Sequence, residues 1–133
     1  MKIVVDASVI IAVITNEPEK AGLIKLTENA VLYAPLSVHW EIGNAFSSMF
    51  KRRLINIQKA SLCLEQYKQI PIRFEDVELE DSLRLADELG IYAYDAYLLY
   101  CAMKLRMPLL SLDKKLCEAA KCKSIPIIKP EGK

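Results

Sequence analysis

The opening segment Lys2-Ile3-Val4-Val5 constrains the fold more than any other stretch of the chain. It is short, β-branched and apolar on both of the faces that a strand presents, so it reads as a strand buried from both sides. A strand of that kind belongs to a parallel sheet with helices packed above and below it. It stops at an acid, Asp6.

The rest of the chain supplies the neighbours that such a strand requires. A helical pattern runs from Pro18 to about Asn29, and Val31 to Tyr33 is a second short strand ahead of Pro35. From Ser37 a long helix is predicted, because Val38, Ile42, Ala45 or Phe46, and Met49 recur on one face and Lys51, Arg52 and Arg53 complement its C-terminal dipole. A helix from Ile57 to about Gln69 leads to a third strand at Pro71 to Phe74, and a helix over Leu79 to Leu89 is stopped by Gly90. Asp95 opens the next helix, which ends near Pro108 and feeds a strand over Leu109 to Leu112 that is closed by Asp113. A last helix over Lys114 to Lys121 and a strand at Ile125 to Ile128, with Pro126 suited to a sheet edge, complete the pattern. Strands alternating with helices predict an α/β fold with a mainly parallel sheet and helices on both faces.

The chain has 133 residues, no repeat and no low-complexity linker, so one domain spanning residues 1–133 is expected. The longest apolar run, Ile3 to Ile14, is broken by Asp6 and is too short to cross a bilayer; it also lacks the basic start and small-residue cleavage site of a signal peptide. No membrane association and a cytoplasmic location are expected. The four cysteines, Cys63, Cys101, Cys117 and Cys122, form no C-x-x-C pair and have only His39 to supplement them, which argues for reduced thiols and against a structural zinc site. The formal net charge is +1, so no whole-molecule field favours nucleic acid; any contact with RNA must use local patches.

In a parallel sheet the helix after each strand starts at the carboxyl edge, and ligands bind in the crevice along that edge. Asp6 and Asp113 terminate strands, Glu41 lies in the first turn of the helix after the second strand, and Asp95 begins a helix; all four are expected at that edge. Four carboxylates brought together repel one another, and a bound cation resolves the conflict. Hard oxygen donors suit Mg²⁺ or Mn²⁺, and such a centre suits phosphodiester hydrolysis without a histidine base or a nucleophilic side chain. Ser8, two residues after Asp6, and Asn44, one turn after Glu41, are secondary candidates for orienting a carboxylate, a water or the phosphate.

Blander readings compete at each position. Asp95 and Asp113, taken singly, are what a helix N-cap looks like, and capping is compatible with metal binding. Glu41 alone reads equally as a solvated residue favouring a helix N-terminus. Asp6 is different, because its apolar surroundings make an unpartnered charge costly. His39 reads as a satisfied helix residue, Trp40 as a packing residue, Lys51 to Arg53 as a solvated helix end, and Tyr92, Tyr94, Tyr97 and Tyr100 as core flanks or a partner surface.

Four segments taken together, Ile3-Val4-Val5-Asp6-Ala7-Ser8, Trp40-Glu41-Ile42-Gly43-Asn44, Tyr94-Asp95-Ala96-Tyr97 and Leu110-Ser111-Leu112-Asp113-Lys114-Lys115, resemble those of PIN-domain nucleases, and the compact length resembles the VapC type, the toxins of toxin–antitoxin pairs. The likeness spans nearly the whole chain. It implies a three-layer α/β/α domain with about five parallel strands, Mg²⁺- or Mn²⁺-dependent endoribonuclease activity, self-association as a homodimer, and inhibition by a cognate VapB-like antitoxin. By position, Asp6, Glu41, Asp95 and Asp113 match the family's acidic cluster, Ser8 its small hydroxyl residue, and Asn44 a frequent polar neighbour. The chain departs from some relatives after Asp113, where Lys114, Lys115 and Leu116 stand in place of a further acid; Glu118 is the distant substitute. Two other functions compete: a Mg²⁺-dependent aspartate phosphatase or phosphoacceptor domain, with Asp6 as the nucleophile but Ser8 where a second Asp is usual, and a non-catalytic binding module.

Overall fold

The computed structural model describes residues 1–129, and it sets β1 (Lys2–Val5) in the middle of the sheet, where a strand apolar on both faces belongs. The other strands are β2 (Val31–Pro35), β3 (Ile72–Glu75), β4 (Leu109–Leu110) and β5 (Ile127–Ile128), in the order β3-β2-β1-β4-β5, and every pairing is parallel. Alternation along β1 divides the core into two layers. Ile3 and Val5 pack with helices α1 (Ala7–Ile14), α2 (Lys20–Thr27), α3 (Val38–Lys51) and α4 (Ile57–Gln69), through Ile10, Leu23, Ile42, Phe46 and Cys63. Val4 packs on the opposite face with α5 (Leu79–Leu89), α6 (Ala93–Leu105) and α7 (Lys114–Cys122), through Leu85, Leu99 and Leu116, and with Leu109 of β4. Ile3 and Val4 are both 0% exposed, so truncating either to alanine is expected to cost on the order of 2–4 kcal/mol.

The α/β architecture expected from the sequence is therefore the one observed, with local differences that have physical causes. Helix α1 follows β1 at once, although no periodicity marks it; Ala7, Val9, Ile10, Ala12 and Ile14 are all buried, so the helix is apolar around most of its circumference. β4 ends two residues earlier than expected, because the N–H groups of Leu112 and Asp113 donate to the hydroxyls of Ser8 (3.0 Å) and Ser111 (2.9 Å) and not to a neighbouring strand. β5 starts two residues later: the N–H of Ile125 closes the end of α7 on the Ala120 carbonyl and Pro126 has no N–H to give. β5 is an edge strand, as Pro126 requires. Gly90 ends α5 at φ 65, the left-handed conformation in which glycine lacks a steric penalty.

Candidate active site

Each of the four predicted acids is carried by a different part of the fold. Asp6 occupies the N-cap position between β1 and α1, yet its carboxylate caps nothing. Its Oδ2 instead accepts hydrogen bonds from Ser8 Oγ (2.7 Å) and Ser111 Oγ (2.6 Å). Asp113 does cap: its Oδ1 accepts from the N–H groups of Lys115 (3.0 Å) and Leu116 (3.2 Å) at the start of α7. Glu41 lies in the first turn of α3, and Asp95 in the first turn of α6, whose N-cap is Tyr92; Asp95 is thus inside the helix and not its opening residue.

Ser111 is the site residue that the sequence does not announce. It is 6% exposed and ties the two strand ends together, donating to Asp6 Oδ2 while its oxygen accepts the Asp113 N–H. Ser8 does the same from the other side, donating to Asp6 and accepting from Leu112. The two hydroxyls hold the Asp6 carboxylate in one orientation and couple it to the Asp113 backbone. A lone serine at the end of an apolar strand carries no periodic or charge signal; only its spacing of two from Asp113 was available as a clue.

The electrostatics show that these acids share a field. Burial pushes the Asp6 carboxyl above its ordinary range, the Ser111 and Ser8 hydroxyls oppose that, and the charge of Asp113 adds to the rise. Burial also lifts Glu41 from an ordinary 4.5 to about 7, with Asp6, Asp95 and Asp113 each contributing repulsion. Asp95 is raised by burial and then by Asp113 and Asp6. Among the described residues, no lysine, arginine or histidine forms an ion pair with any of the four. Asp6 is 4% exposed, and its charge is sustained by two hydroxyls and the Ala7 N–H in a place where a buried anion ordinarily needs a cation.

As a donor set, carboxylates and hydroxyls with no competing ammonium or guanidinium group fit a hard dication. Among the described residues, however, no group of three or more acids, histidines or cysteines is drawn close enough to form a ready-made ligand shell. The two observations are compatible for Mg²⁺, which keeps several of its waters and takes only one or two carboxylates directly, the others acting through water.

The remaining candidates divide. Ser8 is joined to Asp6, whereas Asn44 is exposed and its side chain makes no hydrogen bond among the described residues. Glu118 is exposed and belongs to a depression beside Asp113. The ring of His39 is engaged by Tyr67, with Oη 2.6 Å from Nδ1, and packs against Phe74, which fits the reading of a satisfied helix residue. Trp40, expected to pack, is 67% exposed, because α3 buries Val38, Ile42 and Phe46 and turns Trp40 away from that stripe. All four cysteines are free thiols, and Cys63 and Cys101 are buried. Among the described residues no helix is long and apolar enough to cross a membrane.

A central parallel sheet whose strand ends gather acids defines a class, and the chain belongs to it: the family described as PIN domain matches residues 3–121. Ribonuclease VapC3 of Pyrobaculum aerophilum is 30% identical over 123 residues, covering 89% of this chain and 94% of that protein. Among solved structures, PAE2754 from Pyrobaculum aerophilum superposes with a TM-score of 0.67 at 26% identity, over 91% of this chain and 89% of that one. FitAcB from Neisseria gonorrhoeae superposes with a TM-score of 0.66 at 17% identity, over 98% of this chain and 99% of that one, a likeness that bears on the fold alone.

Proposed function

We propose that this protein is a Mg²⁺- or Mn²⁺-dependent endoribonuclease that hydrolyses RNA phosphodiester bonds, and that it is the toxin of a type II toxin–antitoxin pair, restrained by a VapB-like antitoxin and acting as a homodimer in the cytoplasm. The observation that carries the reading is that Asp6, Glu41 and Asp95 are held where burial and mutual repulsion raise their proton affinity, and no cation of the described residues relieves them. Family membership and the ribonuclease named among the relatives point the same way.

In this reading Asp6, Glu41, Asp95 and Asp113 hold the ion, directly or through water. When bound, the dication supplies a more acidic water as nucleophile and positive charge for the transferring phosphoryl group and the leaving oxygen. The protein's own residues set the stage for that. Ser8 and Ser111 fix Asp6 by holding Oδ2, while Oδ1 accepts no side-chain hydrogen bond among the described residues. Capping by Asp113 anchors its carboxylate to α7. Glu41 keeps its proton near neutrality in the metal-free protein, so it is the group from which a cation displaces one. Asn44, exposed on α3 three residues after Glu41, is assigned the outermost role, contact with the phosphate.

The second reading, a non-catalytic binding module, draws on the absence of a closed three-ligand group among the described residues. A phosphoryl-aspartate mechanism fits poorly, because the nucleophile it needs, Asp6, is 4% exposed and accepts two hydroxyl hydrogen bonds on one oxygen. Incubating the protein with single-stranded and structured RNA, with Mg²⁺, Mn²⁺ or chelator, beside the Asp6→Asn and Asp95→Asn variants, tests the proposal. Cleavage that requires the dication and both acids is the expected outcome. Cleavage indifferent to chelator and to both variants contradicts the mechanism, and folded protein that cuts no RNA but binds a partner peptide supports the module.

A further inference from the structure

An open depression of about 440 Å³ adjoins the acidic cluster and shares Ser111 and Asp113 with it. Its size lies within the range of small-molecule sites and matches a single nucleotide better than a helix or strand of a partner. Half-buried Leu112, Cys117 and Ile127 give it an apolar lining, and exposed Lys121 and Lys129 stand on its rim. Neither lysine forms an ion pair among the described residues. Glu19 and Glu118 share the rim, so the depression is not uniformly basic; what matters is how charge is ordered across it. Asp113, Cys117 and Lys121 follow one another at four-residue spacing on α7 and its N-cap, so along one helix face Cys117 stands between the acid and a lysine.

A polyanion approaching four carboxylates meets repulsion along its whole length, and a protein of net charge +1 provides no general attraction to offset it. Positive charge must therefore be placed where a phosphate next to the reacting one falls, close to the cluster but not on it. We propose that this depression seats the nucleotide adjoining the scissile phosphodiester, with Lys121 and Lys129 on its phosphate and Leu112 and Ile127 against its base or ribose. The inference rests on the ribonuclease reading and adds to it a subsite and the residues that form it.

Thiol labelling tests the placement without requiring cleavage. Cys122 lies on the same helix as Cys117 but is exposed, so it serves as an internal reference. A single-stranded RNA oligonucleotide added to the Asp95→Asn protein is expected to slow iodoacetamide labelling of Cys117 several-fold, read by mass spectrometry, and to leave Cys122 unchanged. In the otherwise native protein, combined Lys121→Ala and Lys129→Ala substitution is expected to raise KM for RNA by roughly tenfold and to reduce the slope of log KM against log salt by about 1.4, with kcat nearly constant. Lys68→Ala, on an exposed pair with Glu65 in α4, is the control. Equal Cys117 labelling with and without RNA overturns the subsite, as does a double variant with wild-type KM and salt slope. Protection of Cys117 by an antitoxin peptide but not by RNA also overturns it, and assigns the depression to a protein partner. Failure of the ribonuclease reading itself has a separate signature, RNA left intact by wild-type protein, and a subsite beside a scissile bond falls with it whatever the labelling shows.

Discussion

Acids gather in two places in this fold, and the protein treats them in opposite ways. Between the end of β3 and the start of α5, Glu75 and Glu78 are met by Lys104 of α6 at 3.3 Å and 3.2 Å, and the same ammonium donates to the Asp76 carbonyl at 2.9 Å. The Lys104 hydrogen bond holds the Glu78 carboxyl below its usual range. At the carboxyl edge of β1 and β4, Asp6 and its neighbours Glu41 and Asp95 have no such lysine and are all shifted the other way. The first arrangement is a solvent-screened clamp between α6 and the β3–α5 junction, of modest worth to stability. The second stores repulsion, which a fold tolerates only where something outside the chain relieves it. The count of acids does not separate these two places; the direction of their proton affinity does.

The contrast breaks most visibly in catalysis. Asp95→Asn is expected to reduce kcat/KM for RNA by about a thousandfold or more with the fold unchanged by circular dichroism, since it removes an acid from the proposed ion site. Lys104→Ala removes the centre of the other cluster and is expected to leave cleavage within about threefold of wild type, because it touches no residue of the proposed site. Equal losses in the two variants collapse the distinction. A smaller effect sharpens it: Ser111→Ala takes away a hydroxyl that orients Asp6 and receives the Asp113 N–H, and activity is expected to fall by roughly 10- to 100-fold, with a matching loss of Mn²⁺ affinity.

Stability should respond in the opposite sense. In the folded, metal-free protein Glu41 holds its proton up to about 7, against an ordinary 4.5. Between those values the folded chain binds more protons than the unfolded one, so this residue's contribution falls as pH rises through the window and is fully unfavourable above it. Glu41→Gln is expected to remove the penalty, stabilising the metal-free protein at pH 7.5 by on the order of 1 kcal/mol after solvent screening, and flattening urea-melt stability between pH 4.5 and 7. A variant less stable than wild type at pH 7.5 contradicts the repulsion. The smallest expected change is the stability loss in Lys104→Ala, a drop of a few degrees in melting temperature.

How far this was legible in the sequence depends on the kind of signal each residue carries. β1 was readable because Ile3, Val4 and Val5 leave no face for water, and α3 because its apolar positions recur with helical period. α1 was not, since Ala7 to Ile14 is apolar nearly all round and such a run has no period to detect. The ends of β4 and β5 depend on where individual N–H groups go, to Ser8, Ser111 and Ala120, which is a tertiary fact. The acids were legible as strand ends and helix starts, and the resemblance to PIN nucleases singled out the same four. Ser111 was not, because its value comes from pairing with Asp6 across 105 residues of chain. Trp40 departs from the expectation of packing because residue type favours burial of a tryptophan, while its position on α3 turns it outward.

Calorimetric titration of Mn²⁺ into the metal-free protein at pH 7, in two buffers of different ionisation enthalpy, asks whether these acids are held together in expectation of a hard dication. Saturable binding with release of a fraction of a proton is expected, both lost in Asp6→Asn and both kept in Lys104→Ala. Mn²⁺ that does not bind, or that binds the Asp6→Asn protein as it binds the wild type, contradicts it.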